Sequence, residues 1–497
     1  MNILINVVWS HFNLKVNNIF KGGISIQMNK YEELMERKNE IMLKSVGINF
    51  EKYETGNLSF DYEGLMEDVG YSLNEVRDIQ REVGVGNTPL LELKNITKLA
   101  RKCSKTGKAA RIFVKDESCN PSGSFKDRRA SISVYDAMKR GYKGVGAATS
   151  GNYGAAVASQ ANMRGLKCII ANECYDSRKV GQPEILEKGR KCEGYGAEVI
   201  RLTVGPELFY AYLKVLEDTG YYNASLYSSY GIAGIETLGD EIAKECNERF
   251  GKYPEAVIAT HAGGGNVTGT ARGLIKAGAL NTKIIGASVD LSGLHMASDI
   301  DFNKKSFTTG HTGFGIPFIT YPDRSDVPRS AARPLRYLDR YVTITQGEVF
   351  WMTEILAQIE GLERGPAGNT SLSAAFSISQ EYEDDAIIIV QETEYTGAGK
   401  HLIPQLNFAK ENGIKVFLGD PKDQVPGKNI VIPSSPFLVS VKDVDMDNMR
   451  NSYIKNMIKR LGKDQVREID IEFLSKETKM SKSEVLETLK SHNIEVD

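Results

Sequence analysis

Residues 256–277 read AVIATHAGGGNVTGTARGLIKA, and this stretch decides the fold. The apolar run 256–260 predicts a buried strand, and residues 268–277 have the composition of a helix. Between them, three glycines let the backbone close on an anion at the start of that helix. They match neither the Gly-x-Gly-x-x-Gly spacing of a dinucleotide site nor the Lys-Ser/Thr ending of a nucleotide loop, so the turn favours a phosphate group over NAD or ATP. A plain tight turn is the alternative, although three glycines in a row carry an entropic cost.

Strands and helices alternate along the chain outward from this unit. Further strands are predicted at residues 112–114, 145–148, 167–171, 199–202, 283–289 and 386–390, and further helices at 125–139, 153–164, 183–194, 208–217, 235–250, 348–360 and 371–381. This alternation predicts an α/β protein with mostly parallel sheets flanked by helices. Residues 291–341 show no regular pattern, and residues 440–497 have the composition of polar, charged helices. Ligands in such folds bind beyond the carboxyl ends of strands, so the loops after strands are the candidate sites.

Composition and charge exclude several classes of protein. The 497 residues include 62 basic and 64 acidic side chains, and the net charge of −2 leaves no positive excess for a dedicated nucleic-acid binder. No apolar run approaches the roughly 18 residues of a membrane helix. The six cysteines form no Cys-x-x-Cys pair and the six histidines are not at ligand spacing. We therefore predict a reduced, cytoplasmic protein without a metal site.

Lys126 lies in the loop NPSGSFKDR, residues 120–128, at the start of a predicted helix. The positive end of a helix lowers the pKa of a lysine and favours its neutral amine, which a Schiff base with an aldehyde requires. Taken alone, the motif fits an ordinary solvated lysine better.

A second loop, Thr149-Ser150-Gly151-Asn152, stands between a predicted strand and a predicted helix. Its hydroxyls, amide and glycine-exposed N–H groups can receive a carboxylate or a phenolic oxygen. The same residue types are preferred helix caps, and for this loop alone capping is the favoured interpretation.

In this order, the three loops resemble those of the fold type II pyridoxal-phosphate enzymes, the group of threonine synthase and the tryptophan synthase β subunit. The resemblance covers residues 85–410 and implies a two-domain α/β architecture with pyridoxal 5′-phosphate as cofactor. It implies that Lys126 is the catalytic residue and binds the cofactor as a Schiff base. The other implied contacts are Asn152 with the pyridine hydroxyl, Gly263, Gly264, Gly265 and Asn266 with the phosphate, Thr396 with the pyridine nitrogen, and Thr149, Ser150 and Asn152 with the substrate carboxylate.

Three later segments carry the same resemblance. Residues 309–317 (TGHTGFGIP) are similar to the glycine-rich wall of the pocket, and residues 360–368 are similar to the helix start beneath the cofactor. Residues 395–400 (YTGAGK) contain Thr396. A hydroxyl partner leaves the ring nitrogen neutral, which makes the cofactor a milder electron sink and disfavours transamination.

Residues 173–183, 202–210 and 231–239 lie outside these motifs and indicate a subfamily. They resemble the β subunits of 2-amino-4-oxopentanoate thiolases, which act in bacterial ornithine degradation. The resemblance implies cleavage of that amino acid by coenzyme A into alanine and acetyl-CoA, with Lys126 moving the proton at Cα. It also implies an oligomer that contains a smaller α subunit.

Two other functions stay open at this point. One is a threonine-synthase-like lyase or a β/γ-replacement enzyme such as diaminopropionate ammonia-lyase. The other is a non-catalytic subunit that keeps the fold as a scaffold or sensor, and the intact Lys126 argues against it.

Other candidate residues carry less weight. An arginine-rich segment could contact coenzyme A phosphates, although surface charge is the favoured interpretation. Its members are Arg329, Arg333, Arg336 and Arg340. Cys119 could carry an acetyl group, although a buried, unreactive cysteine is the commoner case. His261 and His401 flank the cofactor loops and are predicted to be packed and hydrogen-bonded.

Five parts are expected along the chain. They are an N-terminal extension (1–27), the N-terminal helices and first strands of the large domain (28–125), a small α/β domain (126–232), a large cofactor-binding α/β domain (233–420) and a C-terminal helical segment (421–497). Residues 1–27 contain no Asp or Glu, and we expect either a start site assigned too early or a disordered tail.

Overall fold

The computed structural model describes residues 31–149, 151–176, 179–203, 207–225, 227–292, 315–323, 329–395, 402–461 and 465–496. The predictions for residues 1–27, Ser150, Thr396 and His401, and for most of the 309–317 segment, lie outside these ranges.

The helices and strands follow one another in four groups. The first contains α1 (Lys38–Val46), α2 (Tyr62–Glu67), α3 (Leu73–Glu82), β1 (Leu90–Glu92), α4 (Lys94–Cys103), β2 (Arg111–Asp116) and α5 (Lys126–Lys139). The second contains β3 (Gly144–Thr149), α6 (Asn152–Met163), β4 (Lys167–Tyr175), α7 (Pro183–Gly194), β5 (Glu198–Thr203), α8 (Glu207–Thr219) and β6 (Tyr222–Asn223). The third contains α9 (Ser229–Phe250), β7 (Ala256–Thr260), α10 (Gly265–Lys276), β8 (Lys283–Val289), α11 (Gly315–Thr320), β9 (Arg340–Ile344), α12 (Gln346–Ile355), α13 (Pro366–Ile378) and β10 (Ile387–Glu392). The last contains α14 (Leu402–Glu411), β11 (Lys415–Gly419), β12 (Asn429–Pro433), β13 (Lys442–Asp443), α15 (Met446–Ile458), β14 (Gln465–Val466), α16 (Glu468–Thr478), α17 (Lys482–Ser491) and β15 (Glu495–Val496).

Two sheets organise the described chain. The larger has seven strands in the order β1-β2-β10-β7-β8-β9-β13, and the smaller has four in the order β5-β4-β3-β6. All pairs in the smaller sheet are parallel, and the larger sheet is parallel except for β1 and β13 at its two edges. The predicted α/β class with mostly parallel sheets is thus confirmed.

Central strands of the larger sheet are covered by helices on both faces. Every residue of β7 and β10 is buried, which explains why both read as continuous apolar runs instead of alternating ones. Helices α9 and α10 pack so closely that a Cβ atom added to Gly239 or Gly273 would overlap the backbone of the other helix. This contact places the amino end of α10, and the glycine turn before it, beside the larger sheet.

Within the segment expected to be irregular, residues 291–341, the prediction is wrong at two places. Gly315–Thr320 form α11, and β9 already begins at Arg340, where it pairs with β8. Three helices do occupy the C-terminal part, as expected, but short strands accompany them. Among the described helices, none has the length and hydropathy needed to cross a lipid bilayer.

Candidate active site

Lys126 is the first residue of α5, which follows the loop after β2. Its Nζ atom lies 4.3 Å from the centroid of the Phe125 ring. Burial lowers the pKa of Lys126 well below its ordinary value, and the nearby cation of Arg129 lowers it further. The amine is therefore neutral and nucleophilic at a much lower pH than a solvated lysine. The direction agrees with the sequence-based expectation, and burial is its largest cause.

The chain that leaves β10 runs along the Lys126 loop. The Phe125 N–H donates to the Thr393 carbonyl at 3.0 Å, and the Tyr395 N–H donates to the Gly123 carbonyl at 2.8 Å. This pairing holds residues 393–395 against the Lys126 loop. Thr396 itself lies outside the described residues.

The glycine turn after β7 leaves no room for side chains at Gly263 and Gly264. Gly264 caps α10 with φ of 82°, a left-handed conformation that other residues rarely adopt. A Cβ atom added to Gly264 would lie 2.5 Å from Cγ of Pro334, and one added to Gly263 would lie 2.6 Å from the Tyr227 hydroxyl. The turn therefore presents backbone N–H groups, which have no partner inside the helix that they begin.

Asn266 stabilises this turn from within. Its Nδ2 donates to the Thr260 carbonyl at 2.6 Å, and its Oδ1 accepts from the Val267 N–H at 2.8 Å. The side chain is thus engaged with the end of β7. Any contact of Asn266 with an anion in the turn would come from its backbone N–H.

The loop after β3 combines a cap with an open amide. Thr149 Oγ1 accepts from the N–H groups of Gly151 and Gly154 at 3.0 and 3.2 Å, so this hydroxyl caps α6 as the capping interpretation expects. Asn152 is partly exposed at the first position of α6, and its amide has no hydrogen-bond partner among the residues with described positions. The amide is therefore available to a ligand.

Two basic residues of this region were not predicted from the sequence. Arg129 lies one turn after Lys126 on α5, and a Cβ atom added to Gly265 would lie 2.7 Å from its Nη1. Lys188 of α7 forms ion pairs with Glu184 and with Glu394, at 3.3 Å from the latter, and lies beside Gly151. The i, i+3 spacing from Lys126 could have indicated Arg129. No local pattern indicates Lys188, because it reaches the site from another element.

These features fit a phosphorylated aldehyde such as the cofactor implied by the resemblance. A neutral lysine amine is available to the aldehyde, and a glycine turn at a helix start is available to the phosphate. Residues 123–125 pair with residues 393–395, and Arg129 packs against Gly265. These contacts bring together the loops that follow β2, β10 and β7 of the larger sheet.

A cleft of about 410 Å³ opens beside the Lys126 loop. Its walls are Ser118, Gly361, Leu362, Glu363, Arg364 and Tyr395. Cys119 is exposed nearby and donates to Asp116 Oδ2 at 3.4 Å. Cys119 is thus not the buried cysteine that was expected. Partial desolvation of its sulfur and the Asp116 carboxylate nevertheless raise the pKa of the thiol, which disfavours the thiolate that an acetyl carrier needs.

The remaining candidates are structural. Arg333 is buried and pairs with Glu477 and Asp323, so the surface-charge interpretation is wrong for this residue. The other three arginines of the segment also form ion pairs, Arg329 with Asp323 and Glu54, Arg336 with Glu63 and Glu477, and Arg340 with Glu381 and Asp443.

His261 is fully buried, with its ring centroid 5.4 Å from that of Tyr341. Its ring nitrogens have no hydrogen-bond partner in the described part of the chain, so it is packed but not hydrogen-bonded there through its ring. Burial lowers its pKa to about 3, which makes it a poor proton acceptor at neutral pH. No cluster of His, Cys, Asp and Glu suited to a metal ion occurs among the described residues.

Comparisons with known proteins show the family of the chain. Residues 82–392 match the family described as "Pyridoxal-phosphate dependent enzyme". The chain is 64% identical over 449 residues to a "2-amino-4-ketopentanoate thiolase beta subunit" from an unknown prokaryotic organism, which covers 90% of this chain and 95% of that protein. It is 62% identical over 460 residues to a protein of the same name from Acetoanaerobium sticklandii, which covers 93% of this chain and 98% of the relative.

A solved structure shares the fold. The crystal structure of O-ureido-L-serine synthase aligns with a TM-score of 0.50 at 19% identity, covering 64% of this chain and 92% of that chain.

Proposed function

The chain belongs to the pyridoxal-phosphate dependent enzymes, and on that premise we propose that it is the catalytic β subunit of a 2-amino-4-oxopentanoate thiolase. The observation that carries the proposal is 62% and 64% identity, over at least 90% of both chains, to two proteins named 2-amino-4-ketopentanoate thiolase beta subunit. The ketopentanoate of those names is the same compound. The resemblance to this family, and with it the cofactor, is thereby confirmed.

The proposed reaction breaks the C3–C4 bond of the substrate. The sulfur of coenzyme A forms a bond to the C4 carbonyl carbon, C4 and C5 leave as acetyl-CoA, and the electron pair of the broken bond stays on C3. A proton added at C3 completes alanine. When bound, the cofactor supplies an electron sink that stabilises negative charge on the substrate carbons.

Residues of this chain have separate tasks in that reaction. Lys126 would hold the aldehyde of the cofactor, residues 263–266 its phosphate, and Asn152 and Thr396 the pyridine ring. The low pKa of Lys126 suits its Nζ to accept a proton from the substrate and to return one, because a neutral amine can act as a base. The loop 149–152 begins α6, where N–H groups and the Asn152 amide orient the substrate carboxylate.

A second subunit and a cytoplasmic location belong to the same proposal. The relatives are named as β subunits, which supports an oligomer with a smaller α subunit. All six cysteines are free, which suits a reducing compartment.

The test is an assay with purified chain, pyridoxal 5′-phosphate, coenzyme A and 2-amino-4-oxopentanoate, with and without the proposed α subunit. We expect acetyl-CoA and alanine in equal amounts. Lys126→Ala should abolish both products and the visible absorption band of the bound cofactor, while the circular dichroism spectrum is unchanged. Lys139→Ala, at the exposed end of the same helix, should retain the products and the band.

Two outcomes would contradict parts of the proposal. Pyruvate and ammonia from 2,3-diaminopropionate, with no acetyl-CoA from the oxopentanoate, would establish the lyase alternative instead. Full thiolase activity of this chain alone would refute the requirement for a second subunit and leave the assigned reaction intact.

A further inference from the structure

We propose that Arg129 is a binding residue for the phosphate group of the cofactor and supplies the full positive charge that the glycine turn lacks. The inference rests on membership in the cofactor family and is independent of which amino acid the enzyme cleaves. Arg129 lies outside the turn itself, on the helix that carries Lys126.

Within the described ranges of the chain, Arg129 is a buried cation that no carboxylate pairs with. Its side chain is 1% exposed, yet its Nε and Nη2 atoms have no hydrogen-bond partner in the part of the chain that the structure describes. Arg128 shows the contrast, because it is equally buried and pairs with both Glu117 and Glu241. A buried charge is costly unless it is paired and hydrogen-bonded. The unsatisfied donors of Arg129 therefore indicate that an anionic ligand binds there.

The position of the guanidinium identifies the ligand group. A Cβ atom added to Gly265 would lie 2.7 Å from both Nη1 and Cζ of Arg129, so the guanidinium packs against the first residue of α10. The amino end of a helix carries a partial positive charge, and two positive groups in contact repel each other unless an anion lies between them. The glycine turn that contains Gly265 is the phosphate site, so the shared anion is the phosphate.

The surroundings of Arg129 favour a dianion over a single carboxylate. Burial lowers the pKa of Arg129 below its ordinary value. The groups that favour its charged form are Tyr153, whose ring centroid lies 5.7 Å from Cζ of Arg129, and Tyr227. A phosphate ester brings close to two negative charges and three acceptor oxygens, enough to engage both the helix end and a guanidinium fork. A substrate carboxylate bound instead would leave the phosphate with the neutral turn alone.

Arg129 also affects the amine that captures the aldehyde. Its charge is one of the causes that lower the pKa of Lys126. A cofactor phosphate paired with Arg129 cancels that charge, so phosphate binding and the protonation of Lys126 are coupled. Removal of the guanidinium should consequently shift the capture of the aldehyde to higher pH.

The test compares pyridoxal 5′-phosphate with pyridoxal, which has the same aldehyde and no phosphate. Both are titrated into the cofactor-free full-length protein without substrate, and dissociation constants are read from the visible absorption band. Arg129→Met replaces the guanidinium with an uncharged side chain that still fills much of the space. It should lower the affinity for pyridoxal 5′-phosphate by about 100-fold, the loss expected for two charge-assisted hydrogen bonds. At a pH high enough for Lys126 to be neutral in both proteins, pyridoxal should bind this variant as it binds the wild type. Arg129→Lys should restore part of the preference.

The matched control is Arg164→Met, which removes an arginine whose side chain is 7% exposed and which pairs with Glu82 away from the turn. It should leave the ratio of the two dissociation constants unchanged. As a second measurement, inorganic phosphate should raise the melting temperature of the cofactor-free wild type and not that of Arg129→Met.

An unchanged ratio of the two dissociation constants in Arg129→Met would overturn the proposal, and so would an equal loss for both ligands. If that variant does not fold, Arg129→Lys and the phosphate titration of the wild type decide the question. The proposal would also be overturned if inorganic phosphate did not raise the melting temperature of the wild type and Arg129→Lys had the same ratio of the two dissociation constants as the wild type. These results are independent of the thiolase assay, because no substrate is present.

Discussion

Lys126 and Arg129 stand three residues apart on α5, and for each of them desolvation of the charged group lowers the pKa below its ordinary value, although Lys126 keeps some exposure. For Lys126 the consequence is a neutral amine ready to react with an aldehyde. For Arg129 the consequence is a positive charge that an anionic ligand would stabilise, since the groups that favour its charged form are tyrosines. At the scale of single residues, the chemistry of the site therefore depends on what burial does to two positively charged side chains.

Gly264→Ala is the sharpest test of the turn at this scale. The variant must hold an alanine at φ of 82° and bring its Cβ to 2.5 Å from Cγ of Pro334, so the turn must shift. We expect the affinity for pyridoxal 5′-phosphate to fall by about 10-fold or more, because the N–H groups would no longer converge. Absorbance titration measures the affinity.

Gly251→Ala provides the control for that variant. Gly251 ends α9 at φ of 69°, and nothing lies within 4 Å of its added Cβ. It should lose about 1 kcal/mol of unfolding free energy from the left-handed backbone and keep its cofactor affinity. Equal affinities of the two variants would show that the turn tolerates a side chain.

At the scale of elements, α9 connects the parts that position the site. It packs on α10 through glycines and contacts α5 through Gly234, where an added Cβ would overlap the Arg128 carbonyl. Its Glu241 accepts from Arg128 Nη1 and Nη2, both at 2.8 Å, and lies 3.2 Å from Lys115 Nζ on β2. One carboxylate thus links α9, α5 and the larger sheet.

Acid should weaken this link in a defined pH range. Burial alone would raise the pKa of Glu241, but the cations of Arg128 and Lys115 lower it to about 2. The unfolded-state value is about 4.3, so the ionised pair contributes about 3 kcal/mol above that pH and loses it as the pH falls towards 2. Glu241→Gln should therefore be about 3 kcal/mol less stable at pH 7, and the difference should shrink below pH 5.

Denaturant unfolding at a series of pH values measures this effect. Glu248→Gln, an exposed change on the same helix, should match the wild type at every pH. A loss in Glu241→Gln that does not vary with pH would show that the interaction is not ionic.

At the scale of the whole molecule, the C-terminal helices support the cofactor turn. The Arg333 N–H donates to Thr268 Oγ1 of α10 at 2.9 Å, and the neighbouring Pro334 packs against Gly264. The Arg333 guanidinium is buried between Glu477 of α16 and Tyr453 of α15. The C-terminal helices thereby contact the segment that packs against the glycine turn. Arg333 of that segment lies 144 positions before Glu477 in the chain.

Glu477→Gln should therefore act at a distance. It removes one of the two carboxylates that pair with buried Arg333, while Asp323 remains, and should cost about 2 to 3 kcal/mol of unfolding free energy, at or below the range for breaking a buried ion pair. We also expect weaker binding of pyridoxal 5′-phosphate, because Pro334 loses its anchor. Denaturant unfolding and absorbance titration measure the two effects.

Glu487→Gln on α17 is the control, since Glu487 is exposed. It should change neither the unfolding free energy nor the affinity. Reduced stability of Glu477→Gln with unchanged affinity would show that the C-terminal helices do not support the turn.

Local pattern alone determined the core of the fold and the cofactor loops. The strands at 256–260 and 283–289 and the helix at 183–194 have the predicted bounds, because their periodicity and flanking turn residues are strong local signals. Lys126 and the glycine turn were likewise visible, since each combines special residues in one short segment. Strand β9 was missed because it becomes a strand only through pairing with β8 and β13, and its short sequence carries little signal of its own.

The arrangement of charges depends on the folded chain and cannot be read from residue order. Arg333 was expected at the surface, yet it is buried beside a carboxylate far away in the chain. Arg129 has no carboxylate partner among the residues whose positions are described, although it follows an arginine that has two. Coulomb energies and desolvation depend on distance and burial in space, which residue order does not specify. The sequence therefore indicated a reactive lysine and a glycine turn suited to an anion. The folded structure determined which nearby cation has no carboxylate partner in the described part of the chain.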